Sequence, residues 1–203
     1  MAKAYSYVVK RDFGFAPNPF HGILTLATCK QRIRKVAQVG DFIIGVSPVE
    51  YSSKLVYMAK VSRIVTFDEY WSLPEFACKK AIMNGSNKVM FGDNIYHHLE
   101  NGEWMQEDSH HTNEDGTINE HNLERDTQTT DKVLIAEEFF YFGQGMIDIS
   151  AEYGKCVHHG IGHSCPEIEK CQSLWEYLCE NYEMGLIDMP RQFKSFVRYD
   201  GVS

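Results

Sequence analysis

The 203-residue chain carries a formal charge of −8, with 43% hydrophobic and 13% aromatic residues. That much apolar material excludes global disorder, and no apolar run approaches the ~18–20 residues of a membrane-spanning helix. The charge is unevenly held: residues 1–65 have ten Lys and Arg against three acids (net +7), and residues 66–203 have ten against twenty-five (net −15).

An acidic chain that gathers its cations into one block is expected to use them on an anion, and phosphate is the leading candidate. The overall acidity argues against gripping long duplex DNA over a broad face, but a local basic pocket suits a nucleotide, a flipped base or a strand end. The start, MAKAYSYVVKRD, lacks the apolar stretch of a signal peptide, so a cytoplasmic location is expected. In that compartment the six cysteines read as buried thiols or a metal site rather than a disulfide framework.

In chain order, the alternating, β-rich Tyr5 to Lys10 predicts a first strand. Residues 11–22, with Gly14, Pro17, Pro19 and Gly22, predict a constrained loop. Leu24 to Ala27 fits either a short strand or the start of a helix, and Lys30 to Gln38 a short basic helix. Phe42 to Val46 and then Leu55 to Val65 predict a buried strand and a long one. Thr66 is placed to cap a helix through Tyr70 and Trp71, with Asp68 and Glu69 in its first turn. Residues 84–132 are polar and turn-rich, a length of loop that is either functional or disordered. Lys132 to Glu137 predicts another strand, and about Pro166 to Met184 an amphipathic helix.

Three constellations bear on chemistry. In the block from Lys10 to Arg34, Lys10, Arg11, Lys30, Arg32 and Arg34 are candidates for phosphate contacts. Asp12, Asn18 and His21 suit a base edge or sugar hydroxyl, and Phe13, Phe15 and Phe20 offer faces for a base. The blander reading is a solvated basic helix beside a Pro-braced turn. The second constellation runs from Gly92 to His98. Here Asp93 or His97 is a candidate general base and Asn94 or Tyr96 a base reader, against an ordinary Asx-type turn.

The third comprises Cys156, His158, His163 and Cys165, candidate zinc ligands by residue type, with Cys171 nearby. No Cys-x₂₋₄-Cys knuckle is present, so a Gly-rich loop with a helix cysteine facing the core is preferred, and no cofactor is expected. A covalent role for Cys29 is open because neighbouring cations lower a thiol's pKa, although a buried core thiol is commoner.

The strings YSYVVKRDFGFAPNPFHGILTLATCKQRIR, VGDFIIG and LVYMAKVSRIVTFDEYW resemble the nucleotide modification associated domain 2 family. GDNIYH, Trp104 and Gln106, Ser109 and His110, Asp126 and Thr127, and VLIAEEFFYFG follow in the same order. The likeness covers about residues 4–145 and implies association with bacterial or phage nucleotide-modification systems. A more distant likeness to PUA-like EVE and ASCH domains implies a small barrel that binds RNA or a modified base.

The expected architecture is therefore α+β: a small, strongly curved or barrel-like mixed sheet of PUA-like type, with short helices and a C-terminal helix. Residues 1–145 are expected to form the nucleotide-modification-associated domain, and residues 146–203 a helical extension packed on it. The expected function is binding of a nucleotide or modified base, free or in nucleic acid, with no membrane partner and the oligomeric state left open. Two alternatives stand beside it. One is an enzyme that modifies or hydrolyses a nucleotide, with Asp12, His21, Asp93, His97 or His110 in the chemistry. The other is a protein-interaction module.

Overall fold

The computed structural model describes residues 2–201. The first part holds β1 (Ala4–Val8), β2 (Leu24–Leu26), α1 (Gln31–Val36), β3 (Phe42–Val46), β4 (Leu55–Lys60) and β5 (Arg63–Val65). Then come α2 (Phe67–Ser72), α3 (Asn87–Met90), the hairpin β6 (Tyr96–His98) and β7 (Trp104–Gln106), and α4 (Glu120–Thr127). The last part holds β8 (Val133–Ala136), β9 (Glu138–Tyr141), α5 (Ser150–Tyr153), β10 (His163–Ser164), α6 (Ile168–Asn181) and β11 (Gly185–Leu186).

Six strands form a mixed sheet in the order β10-β1-β3-β4-β9-β11, and β2-β8-β5 form a second, three-stranded one. The architecture is α+β as expected, but the sheets do not close into a barrel among the described residues. The large sheet is open, ending on β10 and β11. Both edge strands come from beyond residue 145, where they pair with β1 and β9. The run from Leu55 to Val65, predicted as one strand, breaks at Val61 and Ser62: β4 pairs with β3 and β9 in the large sheet, whereas β5 pairs with β8 in the small one. At the break Ser62 gives both its amide and its hydroxyl to the Ile135 carbonyl.

The period of two decides which face each strand buries. Phe42, Ile44, Met58, Phe140 and Phe142 pack with Cys171, Leu174 and Leu178 of α6, and Trp175 sets its ring 5.4 Å from Phe42 and 5.1 Å from Phe140. Tyr5, Tyr7, Ile43, Ala59, Phe139 and Tyr141 point the other way, joining Ile33 of α1 and Leu24, Leu26 and Leu134 of the small sheet. The large sheet is thus buried on both faces, which is why its central strands read as near-continuous apolar runs. No helix among the described residues is long and apolar enough to cross a membrane.

The predicted cap is present: Thr66 Oγ1 accepts from the Glu69 amide at 3.1 Å and Glu69 returns a carboxylate oxygen to the Thr66 amide at 2.8 Å. Thr66→Ala is expected to cost about 1 kcal/mol, a fall of roughly 2–4 °C in a thermal melt of a domain this size.

The stretch 84–132, read as polar loop, is structured: it holds α3, the β6–β7 hairpin and α4. What organises it is a set of buried polar side chains rather than an apolar stripe. Asn119 caps α4 by accepting from the Asn122 amide at 2.9 Å, and Asn122 Nδ2 donates to the His111 carbonyl at 2.8 Å. Gln106 Nε2 donates to the same carbonyl at 3.2 Å.

Candidate functional site

A cleft of about 480 Å³ opens between the end of β1, the turn into α1 and the residues around His110. Lys10, Arg11, Lys30, Arg32 and Arg125 line it, with Tyr7, Phe13, Phe15 and Tyr199 supplying aromatic surface. Among the described residues that line it there is no Asp or Glu. Five cations on one concavity of a chain with net charge −8 make a local field that favours an anion. The aromatic rings hold the cations in place: Lys30 Nζ lies 4.3 Å from the Tyr7 ring centroid, and the Arg11 and Arg125 guanidinium carbons lie 5.0 and 5.1 Å from that of Tyr199.

At one side of the cleft lies Cys29, in the turn between β2 and α1. Its φ is 56° and that of Lys30 is 42°, left-handed values that are uncommon outside glycine and carry strain. Arg34 holds this turn in place. It is fully buried and gives its guanidinium to three backbone carbonyls: Cys29 and Lys132, each at 2.8 Å, and Asp126. One arginine thereby ties the cysteine turn to the end of α4.

Asp126, also fully buried, is the hub beneath the cleft. Its Oδ1 accepts from the Cys29 amide at 2.8 Å and Arg125 Nε at 3.1 Å. Its Oδ2 accepts from the Tyr96 hydroxyl and from His111 Nδ1, both at 3.0 Å. With Nδ1 turned to the carboxylate, His111 presents Nε2 to Cys29 Sγ at 3.9 Å. Arg125 Nη2 lies 3.8 Å from the same sulfur.

The electrostatics follow from these contacts. Burial and the Asp126 charge push the Cys29 thiol up, but the His111 hydrogen bond and charge and the Arg125 guanidinium outweigh them, so its pKa lies below the ordinary thiol value. Burial pushes His111 down, yet the Asp126 and Cys29 hydrogen bonds and charges lift it above the ordinary imidazole value. Against its own burial, Asp126 is held well below the usual carboxylate range by His111, Arg125 and Arg34. Neighbouring His110 lines the cleft among the Phe13 and Phe15 rings; its Nδ1 is buried without a hydrogen-bond partner, and burial and the His111 charge hold its pKa well below the ordinary value.

Of the predicted residues, Lys10, Arg11, Lys30 and Arg32 come together on the cleft, and Arg34 and Tyr96 lie beneath it. Phe13, Phe15, Cys29, His110 and His163 line it too, whereas Phe20 is buried against Phe193 and the remaining candidates lie away from the cleft. Asp12 is buried, accepting from the Tyr141 hydroxyl and the Arg191 amide. Asn18 is buried against the Phe91 carbonyl at 2.9 Å, and Asn94 against that of Tyr70 at 2.6 Å. Asp93 is buried with Thr25 Oγ1 and the Tyr70 hydroxyl donating at 2.8 Å each. His97 pairs with Glu107 at 2.8 Å and stacks on Trp71, while His21 is exposed in a turn.

Among the described residues, Cys156, His158, His163 and Cys165 do not assemble into a ligand cluster; Cys156 instead lies 3.6 Å from Cys171 in the core. The group with metal-compatible spacing is Cys29, His111 and Asp126, whose ligand atoms lie within 4.8 Å of one another. Both Asp126 oxygens already accept hydrogen bonds there, which suits an ordered donor–acceptor relay better than a coordination sphere. The sequence reading missed His111 and Arg125. The signal available for them was proximity to Ser109, His110 and Asp126, which carry the family likeness.

The model of the nucleotide modification associated domain 2 family matches residues 1–196, and the chain belongs to that family. The match extends about fifty residues beyond the stretch that carried the resemblance in the sequence. Comparison with curated proteins and with solved structures gave no match.

Proposed function

We propose that this member of the family binds a phosphate-bearing nucleotide, or a modified base with its flanking phosphates in nucleic acid, in the basic cleft. The setting is a bacterial or phage nucleotide- or DNA-modification system. The observation that carries the reading is the acid-free lining with its five cations. Lys10, Arg11 and Arg32 hold the phosphate, where an arginine fork matches its oxygens. Lys30 adds charge from beside Tyr7, and the rings of Phe13, Phe15 and Tyr199 offer stacking surface for the base. Arg34 and Tyr96 serve this reading from beneath the cleft, through the Cys29 turn and Asp126, whereas Asn18 and Asn94 hold buried turns away from it. The PUA-like likeness belongs to the same reading, as a small β-rich module that presents a base pocket.

The test is a thermal-shift panel of nucleoside monophosphates, their free nucleosides and short oligonucleotides. A nucleotide at ~100 times its Kd should add about 2.7 kcal/mol of stability, and the matching nucleoside little. Arg11→Ala and Arg32→Ala should each weaken nucleotide binding roughly 10–100-fold, as loss of a charge-assisted contact worth ~1.5–3 kcal/mol requires. Equal shifts from nucleoside and nucleotide, or unchanged affinity in both variants, would sink the reading.

A further inference from the structure

We propose that Cys29 is a nucleophile, with His111 as its general acid–base and Asp126 as the positioning residue for His111, and that the cleft hydrolyses an acyl–nitrogen or acyl–oxygen bond. A sulfur 3.9 Å from one imidazole nitrogen, a carboxylate 3.0 Å from the other and a cleft in front of the sulfur make the nucleophile–base–orienter constellation of covalent acyl transfer, recognisable by roles rather than by sequence order.

The turn supports the assignment: the cysteine sits at φ 56° between a strand and a helix, comparable to the strained strand-to-helix turn that presents the nucleophile in α/β-hydrolases. A core thiol needs none of this. Cys156 and Cys171, buried among apolar residues, illustrate the plain alternative in the same chain. The identity of the substrate as a nucleotide-class molecule rests on the reading above; the nucleophile does not.

The chemistry closes with water alone. His111 Nε2 takes the thiol proton, giving thiolate and imidazolium. The sulfur adds to the acyl carbon, forming the C–S bond while the carbonyl π pair moves to oxygen. Arg125 Nη2, 3.8 Å from the sulfur, stands beside the developing charge. The oxyanion collapses, the bond to the leaving nitrogen or oxygen breaks, and that atom takes the proton from Nε2. Water then gives a proton to Nε2 and attacks the thioester, the C–S bond breaks with its pair returning to sulfur, and a carboxylic acid leaves. Water is the sole co-reactant, and nothing is oxidised or reduced.

The deciding experiment uses the full chain with p-nitrophenyl acetate as acyl probe and iodoacetamide as thiol probe, both read by peptide mass spectrometry. Expected are an acetyl adduct on Cys29 and alkylation of Cys29 at pH 7 roughly tenfold faster than of the exposed Cys78, Cys165 and Cys179. The pH profile of that alkylation should inflect below the ordinary thiol value of ~8.5 and move upward in His111→Gln. Asp126→Asn should move it in the same direction.

Cys29 labelled no faster than the exposed thiols, or protected by a stoichiometric bound metal, would overturn the proposal. The wild-type profile is decisive even if a variant fails to fold. A nucleotide thermal shift without the adduct keeps the binding reading and discards the nucleophile; the adduct without the shift does the reverse.

Discussion

Asp126→Ala is expected to lower the thermal midpoint by on the order of 10 °C, because it removes the carboxylate on which four donors converge. The Cys29 amide, the Tyr96 hydroxyl, Arg125 Nε and His111 Nδ1 all meet it at 2.8–3.1 Å with no solvent access. Breaking a buried ion pair by deleting one partner costs roughly 3–5 kcal/mol, and each kcal/mol moves the midpoint of a domain this size by about 2–4 °C. The pH dependence identifies the cause. Since the folded-state pKa of Asp126 is depressed, its contribution is complete above the unfolded carboxylate value of ~3.9 and is lost as pH falls through the folded value.

His111 has the opposite sign. Its folded-state pKa is raised, so its contribution is fully present below ~6.5 and is lost as pH rises through the folded value. The stability gap between wild type and Asp126→Ala should therefore peak in the mildly acidic range and narrow on both sides. Melts from pH 3 to 9 read this directly, and a gap that does not change with pH would mean that Asp126 is not ionised and paired as described. Asp126→Asn separates shape from charge. It keeps the side-chain volume but puts an amide NH₂ in place of one oxygen. Since Oδ1 accepts from the Cys29 amide and Arg125 Nε and Oδ2 from the Tyr96 hydroxyl and His111 Nδ1, either orientation strips donors of their acceptor.

The cation block was legible because charge density survives without knowledge of the fold, and four of its five members do line the cleft. Arg34 is the instructive exception. Arg32 and Arg34 lie two positions apart on α1, and residues at that spacing face different sides of a helix. Arg32 reaches the cleft while Arg34 is fully buried under it, a difference that the spacing could have suggested. The pairing of Cys29 with His111 spans 82 positions. No local pattern encodes it, because it depends on the segment 84–132, whose order comes from side-chain amides bonded to backbone rather than from hydrophobic period. Asp93 and Asn94 misled for the same reason: small polar residues after a glycine look the same in sequence whether they read a ligand or satisfy a buried turn. The strand from Leu55 to Val65 keeps its alternation across the break at Val61 and Ser62, so periodicity alone could not reveal that it serves two sheets.

Lys79 carries the other large effect, and sequence gave no sign of it. The side chain is fully buried, and Nζ donates to the carbonyls of Asn18, Phe20 and Ile23 and to Asn18 Oδ1 at 2.7–3.0 Å. An ammonium has three protons, so these four acceptors close a cage in which one proton is shared. The cage folds the loop 17–23 around a single charge and sets the entrance to β2, and hence the position of the Cys29 turn beyond it. Lys79→Met preserves length and apolar stem but strands those acceptors. At ~1–3 kcal/mol for each buried polar group left unpaired, a loss of several kcal/mol follows, again on the order of 10 °C in the melt.

Burial drives the Lys79 pKa down to about 8, against the pull of Asp93. Between that value and the unfolded ~10.4 the unfolded chain binds the proton more tightly, so wild-type stability gains from rising pH at this site. The gap between wild type and Lys79→Met should accordingly widen from pH 7 to pH 10, the reverse of a surface lysine held by a carboxylate. A gap that stays flat or narrows would show that the folded state does not depress this lysine, and that the cage of carbonyls compensates in full for its burial.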